Sequence, residues 1–279
     1  MENKIYPRII NSILLCLLIM GIQFFLGIII GVLGLVFILN TNSLAIGALT
    51  VLSSIVSFGA AMLIGFKKTK RRFNEVFKLN RVSVFLWIAT VVFITGFTIV
   101  TSETDNVLNY FLPPPEKFRY LFDTLLAGQP LIISIIAIGI IPALTEELFF
   151  RGLILDGLKS NYSKRKSIII SALLFGIIHL NPWQFYSGFI FGLIAAWICI
   201  ETNSTLLCIF IHFFNNTLYS IVVRYREFIP IKGFNSNFSA QAEFQPLWFD
   251  LTGIAIFIIG TIMLIKGIEK QGSEKRESF

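Results

Sequence analysis

Histidine is the scarcest of the residues that carry versatile chemistry here: two occur in 279 positions. Charge is scarce as well, at 14% of residues, and long uncharged runs separate the charged clusters. That excludes a water-soluble globular domain and indicates a polytopic membrane protein. No repeated alternation over ten-residue segments occurs, which excludes an outer-membrane β-barrel. Cysteine is limited to Cys16, Cys199 and Cys208, all within apolar runs and without metal-type spacing. A disulfide framework is thereby excluded, and the three read as small core residues. No polar linker interrupts the chain, so it reads as one integral-membrane domain, 1–279. Acidic residues are outnumbered, 16 against 23 Lys and Arg, for a net charge of +7. Nucleic acid is still not the expected partner, because the basic residues cluster in short loops between apolar runs, where they set membrane orientation.

What is present is hydrophobic: 55% apolar residues and a mean hydropathy of +0.79. The expected fold is an all-α membrane bundle of about eight transmembrane helices, near 9–39, 43–66, 82–101, 131–155, 167–180, 185–200, 205–223 and 247–268. Residues 1–130 then supply N-terminal spans and an outer loop, 131–223 a catalytic core, and 224–279 a second outer loop, the last span and a tail. The first run is far longer than the 7–15-residue core of a cleavable signal and reads as a retained span. The fifth and sixth spans are short and meet at Asn181-Pro182-Trp183-Gln184, as either an outer turn or a junction of two helices buried in the protein. With eight spans, one side collects the N-terminus, 67–81, 156–166, 201–204 and the tail, with about 17 Lys and Arg, Lys266 near the end of the last span included, against about 5 on the other. The positive-inside rule then puts both termini in the cytoplasm. The setting expected is a cell membrane, bacterial and plasma by preference. In the outer connection 102–130, Phe118 to Leu126 is amphipathic and is either an interfacial helix or a plain loop.

Against this background the polar residues inside the spans stand out, since each costs roughly 2.5–3.5 kcal/mol or more at mid-membrane. Both histidines, His179 and His212, lie in apolar runs, and a third run carries Glu146-Glu147 followed by Arg151. At ~1.5 Å per residue from the cytoplasmic ends, Glu146 lies about 15 Å deep, His179 about 18 Å, His212 about 12 Å and Asn216 about 18 Å. The four fall in one slab although their helices run in different directions. His212 and Asn216 share a helix face at i, i+4, as do Phe175 and His179. Glu147 and Arg151 have the same spacing, in the favourable ion-pair order, and read equally well as a structural pair. Pro142, four residues before Glu146, is expected to loosen that helix and free backbone carbonyls. Gly27-x3-Gly31 and Gly188-x3-Gly192 read as close-packing surfaces, and the many phenylalanines as packing or lipid-facing residues.

In order, Glu146-Glu147-x3-Arg151, Phe175-x3-His179 and His212-x3-Asn216 resemble the three-motif signature of the CPBP intramembrane proteases. That family includes the CAAX prenyl endopeptidases and the bacterial Abi or bacteriocin-immunity homologues. The resemblance spans about 142–220. It implies an intramembrane endopeptidase in which Glu146 activates water with help from His179, while His212 and Asn216 polarise the scissile carbonyl and stabilise its oxyanion. Glu147 and Arg151 are supporting residues. The family is often labelled metallo-, and Glu146, His179 and His212 would be the ligands of a zinc ion. The chain lacks His-Glu-x-x-His, and the favoured reading uses no cofactor. The implied partner, besides the bilayer, is a membrane-associated peptide or protein cut near the cytoplasmic face, such as a pheromone, a bacteriocin-like precursor or a signalling protein. The alternatives are a non-proteolytic immunity or scaffold protein and, behind it, a proton-coupled transporter, for which the internal repeats are missing.

Overall fold

The computed structural model describes residues 5–36, 43–235 and 242–277. Among these the secondary structure is helical, with no strand. The elements are α1 (Ile9–Val36), α2 (Ser43–Thr69), α3 (Phe73–Phe77), α4 (Val84–Phe111), α5 (Glu116–Leu126), α6 (Leu131–Ser134), α7 (Ile141–Glu147), α8 (Leu155–Asn161), α9 (Lys164–Ile177), α10 (Pro182–Thr202), α11 (Thr205–Arg224) and α12 (Leu247–Glu277). Two π-helical segments, Ile135–Ile140 and Leu148–Ile154, join α6, α7 and α8 into one continuous span.

Seven helices among the described residues are long and apolar enough to cross a membrane. The expected fifth span is the exception. α9 has 14 residues, about 21 Å at 1.5 Å per residue, short of a ~30 Å hydrocarbon core. It packs along α10 as a hairpin: Gly188 lies against Gly176 and Gly192 against Ala172, at 3.6 and 3.0 Å from an added Cβ to the neighbouring Cα. The Gly188-x3-Gly192 pair is thus a packing surface, whereas Gly27 has open space beside it and is not. Gly31 lies in α1, but its surroundings are outside the described residues. α4 runs to Phe111, so the first third of the expected outer loop is helix, and α5 forms the amphipathic helix in the rest.

Local signals account for the helix starts. The Ser83 and Ser204 hydroxyls cap α4 and α11 by accepting from Leu86 N and Leu207 N. The Asn181 carboxamide caps α10, accepting from Gln184 N at 2.9 Å, and Pro182 takes the first helical position, where no amide is needed. The 181–184 junction is therefore a turn between two helices.

Contacts sort the loops to two ends. At one end Asn161 Nδ2 donates to Ile5 O, Asn80 Nδ2 to Asn203 O and Gln271 Nε2 to Thr202 O. Arg71 and Lys78 both bind the buried Asp156 carboxylate there. This basic end gathers Ile5, the 67–81 segment, the α8–α9 and α10–α11 turns and the last turns of α12. At the other end Trp183 Nε1 donates to Leu112 O, and Arg226 pairs with Asp123.

The tightest helix pair is α4 with α12. A Cβ on Gly96 would sit 2.3 Å from Phe257 N, one on Gly260 2.4 Å from Phe93 Cα, and one on Gly253 2.3 Å from an Ile99 methyl. Gly253, Gly260 and Gly267 repeat every seven residues, so one face of α12 presents bare backbone to α4. Gly260→Leu is therefore expected to cost about 1–3 kcal/mol by forcing the helices apart. Gly272→Ala, in open space, is expected to stay within about 0.5 kcal/mol of the parent. Thermal unfolding of both variants in detergent checks this.

Candidate active site

The span Leu131–Asn161 carries the acidic pair, and its backbone is irregular on both sides of them. Pro142 has no amide to return to Ile138 O, the carbonyl four residues back. That carbonyl instead accepts from Asn216 Nδ2 at 2.9 Å, while the chain from Ile135 to Ile140 widens to a π-helix. The expected freeing of carbonyls by Pro142 is thus present, with a side chain from α11 as the new donor. Helix α7 then runs only to Glu147 before the second π-segment begins. Such segments recur at functional sites, because they turn side chains out of the α-helical register.

Glu147, Arg151 and His212 form the dry half of the site. Their exposures are 0%, 2% and 5%. Glu147 Oε1 accepts from Arg151 Nη1 at 2.9 Å and from His212 Nδ1 at 2.9 Å. The guanidinium carbon lies 4.4 Å from the centre of the Phe175 ring and 5.8 Å from that of Phe191. Ring faces of this kind attract a cation without demanding hydrogen bonds. The Phe191 ring also packs on His212, 5.0 Å between centres. Arg151 Nε and Nη2 and Glu147 Oε2 have no hydrogen-bond partner among the described residues.

Glu146, His179 and Asn216 form the open half, each partly exposed. His179 Nδ1 lies 2.8 Å from Phe175 O. A carbonyl can only accept, so Nδ1 carries the hydrogen and the neutral ring keeps its lone pair on Nε2. The same reasoning holds for His212, whose Nδ1 faces the Glu147 carboxylate. Leu180, directly after His179, adopts φ 57°, a left-handed conformation that costs a leucine about 1–2 kcal/mol. The turn that holds His179 is strained. Asn216 is anchored on both sides: Nδ2 gives one hydrogen to Ile138 O, and Oδ1 accepts from Asn215 Nδ2 at 3.2 Å. Asn215 Oδ1 in turn lies 3.0 Å from Thr98 Oγ1 on α4. The second amide hydrogen of Asn216 meets no acceptor among the described residues. The Glu146 carboxylate makes no hydrogen bond or ion pair with any described residue, His179 included.

Phe175 joins the halves. Its ring centre lies 5.4 Å from that of His179, 5.9 Å from that of His212 and 5.1 Å from that of Phe150. Phe149 and Phe150 are fully buried packing residues, as expected. The structure therefore brings His179 and His212 against one ring. The pairing of Glu147 with Arg151 is present, and so is a link the sequence reading did not make, from Glu147 to His212. On the same rise per residue, Glu147 lies about 13.5 Å deep against about 12 Å for His212, so depth alone carried that signal. Asn215 and Thr98 gave none.

The zinc-type donor set is not assembled. Among the described residues no three His, Cys, Asp or Glu side chains come together as a group able to hold a metal ion. Cys199 and Cys208 are buried, without a disulfide.

Residues 128–218 match the family model described as Type II CAAX prenyl endopeptidase Rce1-like. The match covers about a third of the chain and contains all six site residues. No curated protein and no solved structure matches significantly.

Removing one member of a buried ion pair strands the other. Arg151→Met is expected to lower stability by about 3–5 kcal/mol, with Arg151→Lys intermediate, since it keeps the charge but loses the planar contact with Phe175. Chemical denaturation in mixed micelles reads both, and an Arg151→Met protein as stable as the parent would show that the pair is not what holds this region.

Proposed function

We propose that this chain, whose residues 128–218 form a member of the CPBP/CAAX-type protease family, is an intramembrane endopeptidase acting on membrane-associated peptides or proteins. The reading rests on one observation. Both imidazoles have Nδ1 committed, to a backbone carbonyl and to a carboxylate, which leaves the Nε2 face of each for other work, and the Glu146 carboxylate on the same site-bearing span makes no hydrogen bond or ion pair with any described residue.

In this mechanism Glu146 takes a proton from water as the oxygen attacks the scissile carbonyl, and His179 Nε2 accepts a hydrogen bond from the same water and orients it. The developing oxyanion meets the uncommitted Asn216 amide hydrogen. His212 has a different task from the one expected of a neutral donor. With Nδ1–H given to Glu147, its Nε2 can donate only when the ring is doubly protonated. Glu147 lies where it balances that charge, and Arg151 fixes the carboxylate. The proton Glu146 has gained then passes to the leaving amine, which completes hydrolysis. No step calls for a metal ion. Positive-inside counting assigns the basic end to the cytoplasm, and with it both ends of the chain.

Purified protein in proteoliposomes, assayed with candidate membrane peptides, tests the reading. Glu146→Ala, His179→Ala and His212→Ala are each expected to lower hydrolysis by about 100-fold or more without loss of the folded state. Asn216→Ala should lower it by about 10²–10³ in kcat. Dialysis against a chelator should leave the rate unchanged. A cellular phenotype that survives all three alanine variants would instead favour a binding-only immunity or scaffold role.

A further inference from the structure

Asn216 can offer a hydrogen to an oxyanion only if its carboxamide faces one way, and the groups that decide this are not among the motif residues. The starting point is Ile138 O, the carbonyl released by Pro142. A carbonyl can only accept, so the Asn216 atom 2.9 Å from it is Nδ2. Asn216 Oδ1 then points the other way, where Asn215 Nδ2 meets it at 3.2 Å. That commits the donor end of Asn215 and turns its Oδ1 towards Thr98 Oγ1, 3.0 Å away on α4. One fixed acceptor thus sets the sense of three side chains in a row.

The hydroxyl at the far end has a choice that the amides lack. Thr98 Oγ1 has one hydrogen and two acceptors within reach, Ile94 O at 2.8 Å and Asn215 Oδ1 at 3.0 Å. Ile94 O lies inside α4 and already has a helical amide as its partner. A hydrogen given there leaves the oxygens of Thr98 and Asn215 facing each other, lone pair to lone pair. Turning the Asn215 amide over would relieve that contact, but it would set two carboxamide oxygens against each other at Asn216. A hydrogen given to Asn215 completes an unbroken donor sequence from Thr98 through Asn215 and Asn216 to Ile138 O. Thr98 is buried, at 6% exposure, and unmatched polar groups in buried places are the costly ones. The unbroken sequence is therefore the favoured arrangement.

Both ends of the sequence are held by tight helix contacts. A Cβ on Gly139 would lie 2.6 Å from Thr217 Oγ1, so α11 rests directly on the π-segment that carries Ile138. At the other end the backbone of Phe257 on α12 abuts Gly96, two residues before Thr98.

We propose that Asn215 and Thr98 are positioning residues for Asn216: the donor sequence from α4 fixes the sense of its carboxamide and aims its second hydrogen at the developing oxyanion. This role rests on the protease reading, whereas the hydrogen-bond sequence itself does not. Hydrogen bonding at Oδ1 also draws electron density from the amide nitrogen, which strengthens Nδ2 as a donor. Thr98 lies outside the matched stretch 128–218, so a helix beyond the family segment takes part in setting the oxyanion site. Both residues act through Asn216 and not on the substrate.

Three substitutions test this. Thr98→Val removes the hydroxyl at nearly equal volume, Thr98→Ser keeps it, and Asn215→Ala removes the link. The assay is hydrolysis of a quenched-fluorescent membrane peptide in proteoliposomes. Thr98→Val is expected to lower kcat by about 3–10-fold, the worth of one neutral hydrogen bond, with KM within about twofold of the parent. Asn215→Ala should lower kcat at least as much, and Thr98→Ser should recover the parent rate. In an Asn216→Ala background neither Thr98→Val nor Asn215→Ala should lower kcat further, because the group they act through is gone. Losses that add in that background, or a Thr98→Val protein with the parent kcat, overturn the proposal.

A readout without hydrolysis keeps the two readings apart. In protein labelled with 15N at asparagine side chains, the Asn216 amide signal is identified by its loss in Asn216→Ala. Magic-angle-spinning spectra in lipid should show that signal displaced in Thr98→Val and returned to the parent position in Thr98→Ser. A signal unmoved by Thr98→Val overturns the proposal whether or not a peptide is cut. If the signal moves as expected while no peptide is cut, the donor sequence stands and the protease reading falls.

Discussion

A carboxylate sealed from water must be neutralised where it stands, and in this bundle that carboxylate is Glu147. An isolated ion in an apolar interior costs far more than one helix can repay. The solution draws on four helical elements and two rings. Arg151 comes from one turn along the same span, His212 crosses from α11, and Phe175 and Phe191 offer their faces to the guanidinium. Because these partners meet only when α9, α10 and α11 are packed against the Leu131–Asn161 span, the ion group fixes the relative positions of all four. The orientation of His212 is a consequence of that packing.

The other half of the site depends on a backbone defect. Pro142 removes one helical hydrogen bond, and α11 supplies the replacement through Asn216. The same face of α11 repeats the arrangement every four residues. His212 meets Glu147, Asn216 meets Ile138 O, Ser220 meets Leu126 O, and Arg224 meets the carbonyls of Leu126 and Gln129. One polar stripe thus holds α11 along the chain from Leu126 to Glu147. Rigid neighbours let Asn216 keep one hydrogen free at a defined position, which is what stabilising a transient oxyanion demands.

Much of this was legible in the sequence, for identifiable reasons. Hydropathy marks apolar helices, and counting basic residues sorted the loops into the same two groups that the contacts show. The ionisable residues in the spans were conspicuous because membrane interiors tolerate them so poorly. The i, i+4 spacing exposed Glu147 with Arg151, since both lie on one helix. The Glu147–His212 bond was less visible because it joins two helices whose rotation about their axes no spacing rule sets. The tautomers of the histidines were hidden for a related reason, as each depends on a partner reached only after folding. The short α9 shows another limit: its run of apolar residues is long enough to suggest a span, yet Leu180 leaves the helical region and ends it early.

The scarcity of histidine makes the central claim directly measurable. With only two imidazoles in the chain, protein grown on ring-15N-labelled histidine gives two resolvable sets of ring-nitrogen signals by magic-angle-spinning NMR in lipid. The account predicts a protonated Nδ1 on both rings, hydrogen-bonded to a carbonyl in His179 and to a carboxylate in His212, with Nε2 of His179 bare. A ring of either residue that carries its proton on Nε2 alone, leaving Nδ1 bare, would contradict it.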